Sequence, residues 1–413
     1  MSTPNVLAFV MAGGEGTRLH PLTAERSKPG VPFGARYHIA DFVLSNLINS
    51  EIHSIYLLVQ YKSQSLIEHV RQAWVLSPIL NEQFVTIVPP QMRAGTDWFQ
   101  GTADAVYQNF NLIRQQNPDL VVVFGADHVY RMDVRQMIDF HRLRKAQVSI
   151  AALPVPIGQA SAFGVIATEA DGRVTQFQEK PANPKPMPSD PARAYASMGN
   201  YLFDTGVLYQ ALKEGHARGE HDFGKHILPR MVNSHRLYAY DFARNVIPGV
   251  RNYEEPAYWR DVGTLDAYFS AHQDVLGLEP KFNMFNPRWP IYSSNYQGPV
   301  AKFIRARIEN SIFAGGTLIK DATVRNSLIR REVVLEPGVD LDSCIIMDHV
   351  AIKRGARLKR AIIDRYNIIE AGATIGYDLE RDRSRYTLTD SGIVVMAQGQ
   401  PSPETISFAE GHS

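Results

Sequence analysis

The pattern of apolar and polar positions changes character twice along the chain. Val6–Met11, Ser54–Gln60, Phe84–Val88 and Leu120–Phe124 are short apolar runs rich in Val, Ile and Leu. They read as strands buried on both faces. Ala40–Ser50, Ser65–Trp74, Ala103–Gln116 and Val134–Lys145 instead carry apolar residues at helical spacing. Strands alternating with helices of this length predict an α/β unit with a mostly parallel sheet, whose ligands gather at the carboxyl ends of the strands. From Val148 the runs shorten: Ser149–Pro154, Gly164–Thr168, Val174–Glu179 and Met198–Phe203 read as strands, with a hairpin at Asp171-Gly172. The proline-rich segment 181–191 reads as an exposed loop, and two further helices are expected before Asp261.

The second change is a repeat. Ser327–Ser343, Cys344–Arg360 and Ala361–Tyr377 are each 17 residues long, with Gly338, Gly355 and Gly372 at one offset. Apolar residues share four columns: Leu328, Ile345 and Ile362; Leu335, Ile352 and Ile369; Val339, Ala356 and Ala373; Leu341, Leu358 and Ile375. Ser311–Asn326 is a degenerate earlier copy with Asp321 near the glycine position. Stacked apolar triplets separated by turns describe a parallel β-helix, in which each coil buries its interior against its neighbours. At about 150 residues per domain, 413 residues suggest two or three domains. The repeat narrows this to two: 1–280, a proline- and aromatic-rich connector at 281–300, and 301–413.

Composition then excludes several classes. Hydrophobic residues make up 45% and charged residues 21%, which fits a globular chain with ample core. The 43 basic and 42 acidic side chains give no general field to recruit nucleic acid. No apolar run reaches the roughly 18–20 residues of a membrane span, and the amino terminus lacks a basic leader. A lone Cys344 excludes an intrachain disulfide framework. A cytoplasmic enzyme is the expectation.

Five stretches carry candidate chemistry. Gly13, Gly14, Gly16 and Thr17 follow the first strand, with Arg18 and Lys28 beyond them; glycine N–H groups and two cations suit a polyphosphate. The spacing is neither a P-loop nor a dinucleotide fingerprint. Asp127 follows the strongest strand and serves either as a metal carboxylate beside phosphates or as a helix cap. Trp98 to Asp104, with Gly101 and Thr102, is either a helix entrance bordering a base or plain structure. Glu179 and Lys180, with Ser197 nearby, suit the hydroxyls and phosphate of a sugar phosphate, or form a surface ion pair. Asp261 is a second metal carboxylate across the cleft or another cap.

Together these stretches resemble the bacterial ADP-glucose pyrophosphorylase (glucose-1-phosphate adenylyltransferase) family. The likeness rests on GGEGTRL with SKP, DFVLSNLINS, WFQGTADAV, GADHVYRMD, FQEKP, SMGNY and YWRDVGT, and it spans essentially the whole chain. It implies a Rossmann-like nucleotidyltransferase domain followed by a left-handed parallel β-helix. It implies that Arg18 and Lys28 grip the triphosphate, that Asp127 and Asp261 hold Mg2+, and that Gly101 and Thr102 line the ATP side. Glu179, Lys180, Ser197 and Asp222 would bind glucose 1-phosphate. The resemblance further implies a homotetramer with metabolite effectors, sugar phosphates or pyruvate as activators and an AMP-type inhibitor. Arg26 and Arg36 are the candidate effector residues. The chain departs from the family pattern at Phe99, where relatives have tyrosine, at His226, where they have a carboxylate, and at Arg36, where they have lysine.

Overall fold

The computed structural model describes residues 4–77, 82–91 and 98–402. The expected strands form: β1 (Val6–Ala12), β2 (Ser54–Val59), β3 (Phe84–Val88) and β4 (Leu120–Gly125). They pair in parallel in the order β4-β1-β2-β3. Their side chains alternate between two cores, as a pleated strand requires. Leu7, Phe9, Val121 and Val123 enter one core, while Ala8, Val10, Val122 and Phe124 enter the other. α1 (Ile39–Asn49) and α2 (Gln64–Ala73) close the second face through Val43, Leu44, Leu47 and Leu66.

α3 (Thr102–Gln108) and α4 (Phe110–Gln116) cover the first face. The sequence predicts one helix over Ala103–Gln116, but the structure breaks it at Asn109. That side chain is buried and donates to the Ala105 carbonyl, competing with the helical ladder. α5 (Val134–Leu143) then leads to the antiparallel half of the sheet.

β5 (Val148–Pro156), β6 (Gly164–Thr168), β7 (Val174–Glu179) and β8 (Arg193–Asp204) extend the sheet, with β8 antiparallel to β4, β5 and β6. The ladder between β8 and β5 shifts register between Ser197 and Tyr201, a bulge containing Gly199 at φ 70°. After β8 come α6 (Thr205–Ala217) and a short helical segment, Phe223–Ile227 continuing into Leu228–Met231. A further strand that the sequence reading missed, β9 (Leu237–Asp241), pairs in parallel with β5.

Residues 302–396 form the parallel β-helix. The repeat columns stack as predicted, Leu335 on Ile352 on Ile369 and Leu341 on Leu358 on Ile375. Gly338, Gly355 and Gly372 all have positive φ at the coil corners, and Asp321 takes the same conformation in the earlier coil. The column Leu328, Ile345 and Ile362 departs from the expectation of an interior ladder. It turns outward and packs with Leu19, Phe33 and Phe42 of the α/β unit and with Phe282 of the connector. The interior place belongs to the next residues, Ile329, Ile346 and Ile363.

Buried charge reinforces this seam. Arg26 donates to Asp364, both essentially inaccessible to solvent. Arg330 donates through Nη1 to the carbonyls of Gly34 (3.1 Å) and Tyr37 (3.0 Å), and through Nε to Asp348 (3.0 Å). Burial would push the Asp348 carboxyl up, but the Arg330 and Arg331 guanidinium groups outweigh it and hold it at about 2. A carboxyl held below its unfolded value adds stability that is full at neutral pH and fades as pH falls from about 4 through about 2. Full protonation of Asp348 should therefore remove about 2 kcal/mol of stability. Urea melts between pH 6 and pH 2 should show a shallower acid slope for Asp348→Asn, which is also less stable at neutral pH because Arg330 loses its partner.

Candidate active site

The carboxyl ends of β1 and β4 and the bulge of β8 open into one cleft of about 640 Å3. Gly13, Gly14, Gly16, Thr17, Arg18, Lys28, Gly101, Thr102, Asp127, Glu179, Lys180, Ser197, Asp222 and Asp261 all line it. The five candidate stretches and Asp222 thus converge on one space.

Local folding explains the phosphate-facing side. β1 ends at Ala12, and Gly16 then takes φ 65° before a single helical turn, Thr17–Leu19. A Cβ on Gly16 would lie 2.9 Å from Lys28 Cβ, so glycine is required both for the backbone conformation and for this approach. Arg18 projects into solvent, its side chain 68% exposed, and Lys28 is buried at 8%. The two cations differ accordingly, one free to meet a ligand and one already seated.

Asp127 follows β4 directly. Its neighbour segment His128–Tyr130 pairs antiparallel with Trp259–Asp261, and the register sets Asp261 opposite His128. This pairing brings the two carboxylates together: Lys28 Nζ lies 3.1 Å from Asp127 Oδ2 and 2.8 Å from Asp261 Oδ1. Asp127, His128 and Asp261 offer donor atoms within 4.8 Å of one another, a set able to hold a divalent cation. Desolvation in the cleft would raise the Asp127 carboxyl, but His128 and Lys28 outweigh it and hold it well below the usual carboxylate range. It is ionised at neutral pH, as a cation ligand must be. His128 is lowered by burial, and its ring packs against Trp259 at 4.6 Å between centroids.

The opposite wall is built from β7 and β8. Glu179 ends β7, and Lys180 follows with φ 47°; their charged ends are 3.9 Å apart. Gly164 and Gly224 crowd Glu179, since a Cβ on either would come within 3.1 Å of its Oε2. Asp222 accepts from Thr102 Oγ1 (3.3 Å) and from the Lys225 backbone N–H (2.9 Å). His226 Nδ1 lies 3.3 Å from the Asp222 N–H, so the residue that departs from the family pattern supplies an acceptor there. Gly101 sits against the backbone of His221, whose carbonyl accepts from Ala103 and Asp104 at the start of α3.

Several lining residues escaped the sequence reading. Gln60 ends the run at β2 and donates to the Phe99 carbonyl at 3.3 Å; Leu58 and Phe163 join Tyr201 of the SMGNY stretch in the apolar wall. Position at the end of a parallel strand is the signal that would have found Gln60. Trp98, a candidate for bordering a base, is instead 55% exposed and outside the cleft lining.

Arg26 and Arg36 lie elsewhere. Arg26 is buried in the seam with Asp364 and Gln398. Arg36 donates to the Ser294 carbonyl and to Asn295, and lines a second cavity of about 500 Å3 together with Tyr37, Tyr296, Phe313 and Arg331. Among the described residues no helix is long and apolar enough to cross a membrane.

Comparison with known proteins matches this architecture in two parts. Residues 7–277 fit the nucleotidyl transferase family model, and residues 299–396 fit the GlmU-like C-terminal hexapeptide model, in keeping with a left-handed β-helix. The chain is 55% identical to the glucose-1-phosphate adenylyltransferase of Thermodesulfovibrio yellowstonii, over 95% of this chain and 96% of that protein. It is 47% identical to the enzyme of that name from an Anaeromyxobacter species, covering 95% and 97%. It is 46% identical to that of Thermus thermophilus, covering 95% and 98%. With both parts matched and the likeness running end to end, the chain belongs to the glucose-1-phosphate adenylyltransferase family.

Proposed function

We propose that the chain transfers an adenylyl group from ATP to α-D-glucose 1-phosphate, forming ADP-glucose and diphosphate. The observation that carries this reading is the convergence of a glycine loop, two cations and two carboxylates in one cleft of a chain so similar to adenylyltransferases. A phosphate oxygen of glucose 1-phosphate attacks the α-phosphorus of ATP, and the bond to the bridging oxygen of diphosphate breaks in line. The attacking oxygen is already anionic, so no general base is needed. The barrier lies in bringing two phosphates together and in spreading negative charge, which positioned cations and N–H donors relieve.

In this reading the loop amides at Gly13, Gly14, Gly16 and Thr17 face the phosphates, and Arg18 and Lys28 balance the departing diphosphate. Glu179, Lys180, Ser197 and Asp222 hold the sugar phosphate, and Gly101 and Thr102 border the nucleotide. Asp127 and Asp261 would hold Mg2+, which supplies a Lewis acid and charge neutralisation when bound. The donor set fits that ion: two carboxylates already gathered around a positive charge. The catalytic domain is taken as 1–280, the connector as 281–300 and the β-helix domain as 301–413. A cytoplasmic homotetramer under metabolite control, supplying ADP-glucose for glycogen or another α-glucan, completes the proposal.

Diphosphate release with glucose 1-phosphate and each of the four NTPs tests the assignment, with ATP expected to lead; equal or better turnover with UTP would reject it. Two further outcomes are expected. A Cβ on Gly101 would fall 2.3 Å from the His221 carbonyl oxygen, a backbone atom that cannot yield. Gly101→Ala should displace the start of α3 and lower kcat/KM for ATP about tenfold or more, read by steady-state kinetics at saturating glucose 1-phosphate. Arg36→Ala should blunt activation across a panel of sugar phosphates and pyruvate while leaving unactivated turnover near normal; undiminished activation would remove Arg36 from the effector site.

A further inference from the structure

Two carboxylates and one ammonium meet at the floor of the cleft. Asp127 Oδ2 and Asp261 Oδ1 are the polar contacts of Lys28 Nζ among the described residues, at 3.1 and 2.8 Å. The other oxygens face elsewhere, Asp127 Oδ1 toward His128 Nδ1 at 3.2 Å and Asp261 Oδ2 toward Arg18 Nη2 at 3.8 Å. Lys28 Cβ lies close to Gly16, where an added Cβ would fall 2.9 Å from it, and the flexible stem beyond carries the ammonium to the carboxylates. Lys28 therefore occupies the focus of the same two carboxylates that the proposed function gives to a divalent cation.

The two cations cannot share that focus unaided. A divalent ion bonded to either oxygen at about 2.1 Å lies, by the triangle of distances, within about 5 Å of Nζ. At that separation, beside a side chain only 8% exposed, repulsion is poorly screened. They coexist if an anion stands between them or if the ammonium is drawn away. A polyphosphate does either, and lysine suits such a move because its charge is compact and its stem flexible. Arginine, with its planar fork, would stay locked across the pair.

We infer that Lys28 is the resident counter-cation of Asp127 and Asp261 and makes divalent-cation binding conditional on the nucleotide. The polyphosphate draws the ammonium off the carboxylates, and the charge it leaves is replaced by the ion that travels with the nucleotide. The cleft thus accepts metal together with ATP rather than before it. This rests on the reading of Asp127 and Asp261 as the metal pair.

The test is Mn2+ binding to the full-length chain without nucleotide, with free Mn2+ read by electron paramagnetic resonance. Lys28→Met should bind one Mn2+ at least tenfold more tightly than the wild type, and Lys28→Met/Asp127→Asn should lose that gain. Lys28→Gln, which removes the charge and keeps a polar end, should shift in the same direction and serves if the methionine variant is unstable. Mn2+ binding by the Lys28 variants no tighter than wild type overturns the inference. Adding ATP separates the two readings. If Asp127→Asn leaves the Mn2+–ATP affinity unchanged, the pair holds no metal and both readings fall. If Asp127 matters there while the Lys28 variants gain nothing, only the counter-cation role falls.

Discussion

Replacing Asp127 by asparagine should lower turnover by at least three orders of magnitude, about 4 kcal/mol of barrier, in a chain that stays folded. The reasoning starts from position. Asp127 stands at the carboxyl end of a buried parallel strand, its side chain 40% exposed to the cleft, so asparagine fits without disturbing a core. What is lost is charge. The carboxylate faces Lys28 and lies beside His128 and Asp261, so it is one of the two negative charges in the floor of the cleft. If it holds the metal, the amide weakens that hold and leaves the phosphates' repulsion uncompensated in the transition state. The loss should appear in kcat, measured by diphosphate release across a Mg2+ titration, with circular dichroism and the melting temperature near wild type. Near-normal turnover would remove Asp127 from the machinery.

The second large effect concerns stability. Asp364→Ala strands the Arg26 guanidinium in a seam where it is 2% exposed, with Gln398 at 3.4 Å as its remaining hydrogen-bond partner among the described residues. Breaking one side of a buried ion pair typically costs about 3–5 kcal/mol because an uncompensated charge remains inside. Replacing both partners by apolar residues of similar size costs far less, so Arg26→Met/Asp364→Leu should recover much of the loss. Urea unfolding of the two variants beside wild type measures the difference. A single variant as stable as wild type would mean that the seam admits water freely around Arg26.

The contrast between these residues explains what was legible in the sequence. Asp127 and the glycine loop announce themselves because their geometry is local: strand, turn and side chain lie within a few residues of each other. The 17-residue repeat is legible for the same reason, since each coil specifies itself. The partnership of Asp127 with Asp261 is legible only in part: the residues leave a helix cap as the alternative and the family resemblance favours the pair, because the contact depends on the antiparallel register between His128–Tyr130 and Trp259–Asp261. Arg26 reads as an effector residue from its nearness in sequence to the glycine loop, yet its partner is 338 positions away on the β-helix. The outward turn of Leu328, Ile345 and Ile362 was hidden in the same way. Periodicity marks which positions are apolar, and only the docked second domain decides whether they face its own interior or a neighbour. β9 was missed because its alternating Leu237–Asp241 run is short and lies in a stretch read as helical.

The seam also carries a measure of length. Ile329 stacks on Ile346 and Ile346 on Ile363, so the residues that follow them, Arg330, Met347 and Asp364, lie in one column on successive coils. Arg330 grips the carbonyls at Gly34 and Tyr37, and Asp364 grips Arg26, two rungs further along. At about 4.8 Å per rung, the two grips stand about 10 Å apart, matched to two points on the α/β unit. A β-helix tolerates gain or loss of whole coils at its ends, because each coil asks only for neighbours. Between Arg330 and Asp364 that freedom is gone. Removing one coil there would leave a sound solenoid whose second grip falls a full rung short of Arg26, two residues from Lys28. The number of turns in that interval works as a gauge block, set by the dimensions of the unit against which it rests.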